Sequence, residues 1–292
     1  MPRDALAEST QALTTHLIGR AVLAACVEVL EPRGVRVMPL KGIWLQEFVY
    51  AGSGERVISD VDVLVAEGSY LNACAALDDA GWKLLTWNDA EASYLSPGLP
   101  LALDLHARLF RRGAFQMLTA PLFERSTQDN DVFGVPVALP DAGDVLAHLV
   151  GHALKSGNAW SGEGPELRDI PRLADACRLS ALDCAARLDE LGLARAARFV
   201  LPLTAADDAA GFGAAVLSHL RPDVLGDRLA QTARLMRTHM RHAERMSALI
   251  GFALDSSLLQ GAYAFSLRIS EKFFESANVH SQHGGDRPPF QC

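Results

Sequence analysis

Two aspartates two residues apart, Asp60 and Asp62, stand in the run Ile58-Ser59-Asp60-Val61-Asp62-Val63-Leu64-Val65. The alternation is that of a β-strand, in which residues two apart point to the same face. The two carboxylates therefore lie side by side, among Val61, Val63, Leu64 and Val65, which belong in a packed sheet. Like charges that close repel, and burying an unpaired carboxylate is costly. A compensating cation is expected, and the hard cation that takes carboxylate oxygens readily is Mg²⁺. A third carboxylate, Asp104, sits in the strand-patterned run Leu101-Ala102-Leu103-Asp104-Leu105-His106, with His106 on its face. If the two strands are neighbours, three carboxylates converge on one point. Such a set could hold two Mg²⁺ ions, or Mn²⁺ in their place, one on a triphosphate and one activating an attacking hydroxyl. Upstream, Leu40-Lys41-Gly42 closes a strand and opens a helix. A glycine there permits close backbone approach to phosphate, and the helix N-terminus favours negative charge. Lys41 adds a cation.

Each of these residues also has a plainer use. Asp60 and Asp62 could face water on an edge strand, and Asp104 and His106 could be an exposed hydrogen-bonded pair. His106 could contact phosphate, act as a base, or orient a carboxylate. Lys41 could be a surface lysine, and Arg56 could pair with Asp60 or Asp62 as readily as bind phosphate. His148 and His152 lie four apart on one helix face, a spacing that can bind zinc. That use is disfavoured, because Leu149 stands where a glutamate would follow and no third ligand is evident. His152, Lys155 and Arg168 line the cleft from the helical side or form a solvated face.

The elements that position these residues alternate through the first half. Residues Leu6–Leu30 read as an amphipathic helix ended by Pro32-Arg33-Gly34, followed by a strand at Val35–Leu40 and a helix at Ile43–Tyr50. Tyr70–Ala80 has helical spacing and ends at Gly81; Trp82–Trp87, Ser93–Leu95, Leu101–Leu105 and Val132–Leu139 read as strands or extended segments. After Pro140 the character changes to helix. Asp141 or Asp144 can cap a helix to Lys155. A Gly-rich loop, Ser156–Pro165, separates it from helices at Leu167–Leu179 and Leu182–Leu201, and helix is expected onward to Ser276. The expected organisation is an α/β part over residues 1–139, a helical domain over 140–275 and a disordered tail over 276–292.

The chain has 292 residues, 49% hydrophobic and 21% charged, the profile of a soluble globular protein. Its net charge of −8 argues against a broad surface for a long nucleic acid but leaves room for a local basic pocket. The five cysteines are scattered and lack C-x-x-C spacing, as in a reducing, cytoplasmic compartment; Cys292 is expected to be exposed. Leu13–Leu30 is interrupted by Arg20 and Glu28, and Met246–Leu267 by Asp255 and several polar residues, so neither reads as a membrane span or signal.

Strand, Gly, helix, then Asp-x-Asp on the next strand and a later strand Asp resembles the nucleotidyltransferase superfamily related to DNA polymerase β. The resemblance is closer to a bacterial branch of uncharacterised nucleotidyltransferases. It rests on Leu40-Lys41-Gly42, Arg56-Val57-Ile58-Ser59-Asp60-Val61-Asp62, Leu103-Asp104-Leu105-His106, His152-Ala153-Leu154-Lys155 and Leu167-Arg168-Asp169-Ile170 with Asp175, in order across residues 40 to 175. Two departures from the superfamily stand out: Lys-Gly, typical of the branch, replaces the more usual Gly-Ser, and the interval from Gly42 to Asp60 is longer than usual. The branch itself often has an aromatic where Ala107 follows His106. The resemblance implies an α+β fold with a mixed sheet, flanking helices and a helical C-terminal half. It implies Mg²⁺-dependent transfer of a nucleotidyl group from an NTP to a hydroxyl, with pyrophosphate released. Asp60, Asp62 and Asp104 would be the catalytic metal ligands, with Asp104 helping to deprotonate the acceptor. Lys41, Gly42, Arg56 and Ser59 would bind the nucleotide. His106, His152, Lys155 and Arg168 would contact substrate or phosphate. The acceptor stays open among small molecules, sugars, peptides and proteins. The alternative is a non-catalytic nucleotide-binding or interaction module that keeps the fold. A kinase-type phosphotransferase is disfavoured by the lack of a G-x-x-x-x-G-K-S/T loop and of H-R-D and D-F-G motifs.

Overall fold

The carboxylate strands lie in the middle of a five-stranded mixed sheet, and the chain reaches that arrangement by building the sheet from both edges. The computed structural model describes residues 3–239, apart from 52, 54, 111–114, 116–118 and 163. In chain order the first part contains α1 (Arg3–Leu30), β1 (Val37–Pro39), α2 (Lys41–Phe48), β2 (Asp60–Val65), α3 (Tyr70–Asp79), β3 (Lys83–Trp87), β4 (Glu91–Leu95) and β5 (Ala102–His106). There follow α4 (Thr119–Arg125), β6 (Thr127–Asp129) and β7 (Val137–Leu139). The helical part comprises α5 (Ala142–Lys155), α6 (Asn158–Ser161), α7 (Pro165–Ala176), α8 (Ala181–Glu190), α9 (Ala194–Val200), α10 (Phe212–His219) and α11 (Val224–His239).

The sheet order is β1-β2-β5-β4-β3. After β2 the chain crosses over through α3 to the far edge, then returns as the antiparallel strands β3, β4 and β5. The crossover is what allows β5 to lie parallel to β2, since parallel neighbours need a long connection. β6 and β7 form a separate antiparallel pair.

The two faces of the sheet are sorted by the period-two pattern. Val61, Val63, Val65, Leu103 and Leu105 point to one side and pack with Val22, Leu23, Cys26, Val27 and Leu30 of α1 and with α3. Thus α1, although the segment Ser9–Arg33 is long and apolar enough to cross a membrane, is packed on this sheet through that stripe. The opposite side of β2 carries Leu64, which packs with Met38, Leu40, Trp44 and Leu45 and with Leu146, Leu149 and Val150 of α5. The carboxylates share the face of Leu64, so their side of the sheet is the side covered by the helical part. Gly151 shows how closely that cover sits: a Cβ there would meet the Phe110 ring at 2.4 Å. A mid-helix glycine costs about 1 kcal/mol relative to alanine, and here the ring that follows β5 occupies the space the methyl would need.

Several expectations need correction. The helix read at Leu182–Leu201 is two helices, α8 and α9, parted at Gly192, whose φ of +70° is a left-handed geometry that glycine adopts without strain. The loop Ser156–Pro165 contains the short helix α6. β1 is shorter than Val35–Leu40, and α2 starts at Lys41 rather than Ile43. α4 and β6 have no counterpart in the sequence reading, being too short to display a period. Asp141, not Asp144, caps α5, its Oδ1 accepting from the Gly143 amide at 3.0 Å. The tail 276–292, Cys292 and the segment Met246–Leu267 lie outside the described residues.

Candidate active site

In the register of the parallel pair, Asp62 on β2 stands opposite Asp104 on β5, Asp60 opposite Ala102, and Leu64 opposite His106. On the other side of β5, Ser93 of β4 is opposite Asp104 and Glu91 opposite His106. Pairing of β2 with β5 therefore brings Asp60, Asp62, Asp104 and His106 onto one face.

Asp62 is the most buried of the three carboxylates, 4% exposed. Its Oδ1 accepts from Lys41 Nζ at 2.6 Å and is 2.9 Å from His106 Nε2. Burial alone would push this carboxyl up, but the Lys41 ammonium and the His106 contact outweigh it and hold the group well below the usual carboxylate range. Asp104 goes the other way. Burial pushes it up, a hydrogen bond from Ser93 opposes, and the negative charges of Asp62 and Asp60 add to the rise. Asp60 is partly exposed and its Oδ1 accepts from Ser59 Oγ at 3.0 Å. His106 Nδ1 is buried without a hydrogen-bond partner, with Glu91 Oε2 at 3.7 Å.

The helical part forms the opposite wall. His148 on α5 is buried, stacks edge-on with Phe110 and with His152, and is held neutral, its pKa well below the ordinary imidazole value. Burial is the main cause, and the positive charges of Lys41 and His152 add to it. His152 Nδ1 lies 2.6 Å from Glu166 Oε1 on α7, and the Asn158 amide donates to both oxygens of Glu166 at 3.1 and 2.9 Å. Burial raises the Glu166 carboxyl, but these partners outweigh it and the net shift is downward. Lys155 is exposed and 3.9 Å from Glu91.

Arg56 is tied to α7. Its Nε donates to Asp169 at 3.0 and 3.2 Å, and the Tyr50 hydroxyl donates to the same carboxylate at 2.6 Å. Neither Asp60 nor Asp62 is its partner. The space above Gly42 is filled by this guanidinium, because a Cβ on Gly42 would lie 2.9 Å from Arg56 Nη1. Arg168 is exposed on α7, whose buried acids are Glu166 and Asp169. Those two acids, with Asn158, Glu91 and Ser93, are the site partners the sequence reading missed. The signal was present for two of them: Glu166 and Asp169 fall among Leu167, Ile170 and Leu173 at core positions of an amphipathic helix.

Among the described residues no three His, Cys, Asp or Glu side chains are drawn together closely enough to hold a metal ion. The donor chemistry nonetheless suits a hard cation. Asp60, Asp62 and Asp104 offer only oxygen ligands, and the register of β2 with β5 sets these three carboxylates on one face of the sheet.

Lys41-Gly42 thus opens α2 just after β1, and the parallel strands β2 and β5 set Asp62 beside Asp104 with Asp60 on the same face. The chain belongs to the family described as uncharacterised nucleotidyltransferase, whose model matches residues 3–206. That match runs through both the sheet and the helices α5 to α9. No curated protein matches the chain in sequence. Among solved structures, the solution structure of the antibiotic-resistance factor ANT(2'')-Ia is similar at a TM-score of 0.43 and 13% identity, over 59% of this chain and 89% of that one.

Proposed function

We propose that the protein is a Mg²⁺-dependent enzyme that moves NMP from an NTP to a hydroxyl of a small-molecule, sugar, peptide or protein acceptor, releasing pyrophosphate. The observation that carries this reading is the register that sets Asp62 opposite Asp104, with Asp60 on the same face. Asp60 and Asp62 would hold the metal ions, and Asp104 the one on the acceptor side. Bound there, divalent cations would neutralise charge on the triphosphate and acidify the acceptor hydroxyl. Lys41 and the first turn of α2 would hold the phosphates. Asp104, on the acceptor side, would help deprotonate the acceptor hydroxyl. His106 orients Asp62 through its 2.9 Å contact. Arg56 and Ser59, whose hydrogen bonds go to Asp169 and Asp60, would reach a nucleotide only by exchanging those partners. His152 and Lys155 would meet substrate from the helical wall. Most of the rate enhancement would come from positioning and charge neutralisation.

The net charge of −8 suits a compact acceptor better than a long nucleic acid. The cysteines Cys26, Cys74, Cys177 and Cys184 are free thiols, which supports a reducing, cytoplasmic setting. The test is a screen of the four NTPs with Mg²⁺ or Mn²⁺, following pyrophosphate release and self-labelling from α-labelled nucleotide. Asp60→Ala and Asp62→Ala should abolish both signals. Turnover that survives both substitutions would sink the assignment of these carboxylates, and nucleotide binding without turnover would favour a binding module.

A further inference from the structure

We infer that Lys41 is the resident counter-cation of the carboxylate face: it holds Asp62 against a free divalent cation and yields it to one that arrives with a triphosphate. This rests on the reading of Asp60, Asp62 and Asp104 as metal ligands. Three observations carry it. First, the Lys41 ammonium and the His106 ring contact the same oxygen, Oδ1 of Asp62, at 2.6 and 2.9 Å. Asp60 and Asp104, by contrast, have hydroxyl partners in Ser59 and Ser93. Second, this ion pair is largely out of water, with side chains 16% and 5% exposed, so its charges act on neighbours with much less screening than at the surface. Third, the backbone fastens the same two residues. The Leu40 amide donates to the Asp62 carbonyl at 2.9 Å, and Lys41 follows with a φ of +39°, a sparsely populated conformation for a residue with a Cβ. The strand-to-helix junction thus delivers the ammonium to Asp62.

The consequence is a coupling between two ligands. A divalent cation approaching Asp62 meets a positive charge already within bonding distance of its ligand oxygen, and the repulsion lowers its affinity. A triphosphate offers Lys41 another anion. The side chain is suited to the exchange, a compact charge with three donors on a flexible stem. Metal and triphosphate therefore favour each other's binding, and by linkage the factor is the same in both directions.

The experiment is equilibrium dialysis of Mn²⁺ against the full chain, with and without inorganic tripolyphosphate, for wild type, Lys41→Gln, Lys41→Met and Lys41→Arg. Asp62→Asn is the control, and circular dichroism confirms that each variant is folded. Wild type is expected to bind Mn²⁺ weakly alone and more tightly with tripolyphosphate. Both neutral variants should bind Mn²⁺ alone about tenfold more tightly and lose most of the gain from tripolyphosphate, whereas Lys41→Arg should follow wild type. Mn²⁺ affinity that is unchanged or weaker in both neutral variants would overturn the inference and make Lys41 a fixed strut for Asp62. Mn²⁺ binding absent from every protein, or unaffected by Asp62→Asn, would instead overturn the metal reading itself.

Discussion

Replacing Asp169 by alanine should destabilise the protein by about 3–5 kcal/mol, the range for breaking a buried ion pair by removing one partner. The Asp169 side chain is 1% exposed, and it accepts from Tyr50 at 2.6 Å and from Arg56 at 3.0 Å. Alanine leaves the Tyr50 hydroxyl without an acceptor, at about 1–3 kcal/mol for a buried donor. It also strands the Arg56 guanidinium, 13% exposed and fixed near α2 by Gly42. Asparagine should cost clearly less. Burial raises the Asp169 carboxyl despite Arg56 and Tyr50, so its ionised form is held at a net cost that the neutral amide avoids, while an oxygen stays available to Tyr50. The assay is urea unfolding at neutral pH, followed by both circular dichroism and tryptophan fluorescence to establish one transition. Losses below about 1 kcal/mol in both variants would refute the reasoning, because an unpaired buried guanidinium cannot be that cheap.

Asp104→Asn should abolish nucleotidyl transfer while raising stability by about 1 kcal/mol at neutral pH. The folded protein holds the Asp104 proton more tightly than the unfolded chain. The gain over wild type should therefore shrink as pH falls through the folded pKa and vanish below the unfolded value near ~4; parallel melts across pH check it. Glu166→Gln should act with the opposite sign, since the folded pKa of Glu166 is lowered. It should cost about 1.5–3 kcal/mol above pH ~5, where wild type has the charged hydrogen bonds from His152 and Asn158, and almost nothing once pH falls below the folded pKa. Gly151→Ala should destabilise by about 1–3 kcal/mol by driving Phe110 off α5, and chemical denaturation reads it directly. A variant more stable than wild type would show that the ring yields freely.

What was legible in the sequence follows from what is periodic. Val61, Val63 and Val65 alternate with Asp60, Asp62 and Leu64, so the strand and its two faces could be read before any pairing was known. That β5 rather than β4 lies beside β2 could not, because strand order depends on the crossover through α3 and not on a local pattern. The pairing of Arg56 was equally hidden. Two nearby carboxylates, Asp60 and Asp62, were the obvious partners, and the actual one is more than a hundred residues away on α7. Gly42 illustrates a subtler gap. The glycine at this helix start also admits the Arg56 guanidinium, which lies 2.9 Å from where a Cβ would stand, an approach that no local pattern announces. Breaks between short helices, such as that at Gly192, are set by one left-handed residue and are lost in an Ala- and Leu-rich run.

The helical part is tied to the sheet part through charged side chains. α7 presents two buried acids three residues apart, and each holds a basic side chain from a different element: Glu166 takes His152 of α5, and Asp169 takes Arg56 from the loop before β2. α5 in turn places neutral His148 within reach of the charges on Lys41 and Asp62. Rotation of α7 about its axis would disturb both pairs together, since residues three apart on a helix share a face. An acceptor that meets the helical wall through His152 would therefore act on the same rigid element that fixes Arg56 beside Gly42. The pairs His152–Glu166 and Arg56–Asp169 are thus joined through one helix, α7, and the family match over residues 3–206 includes it.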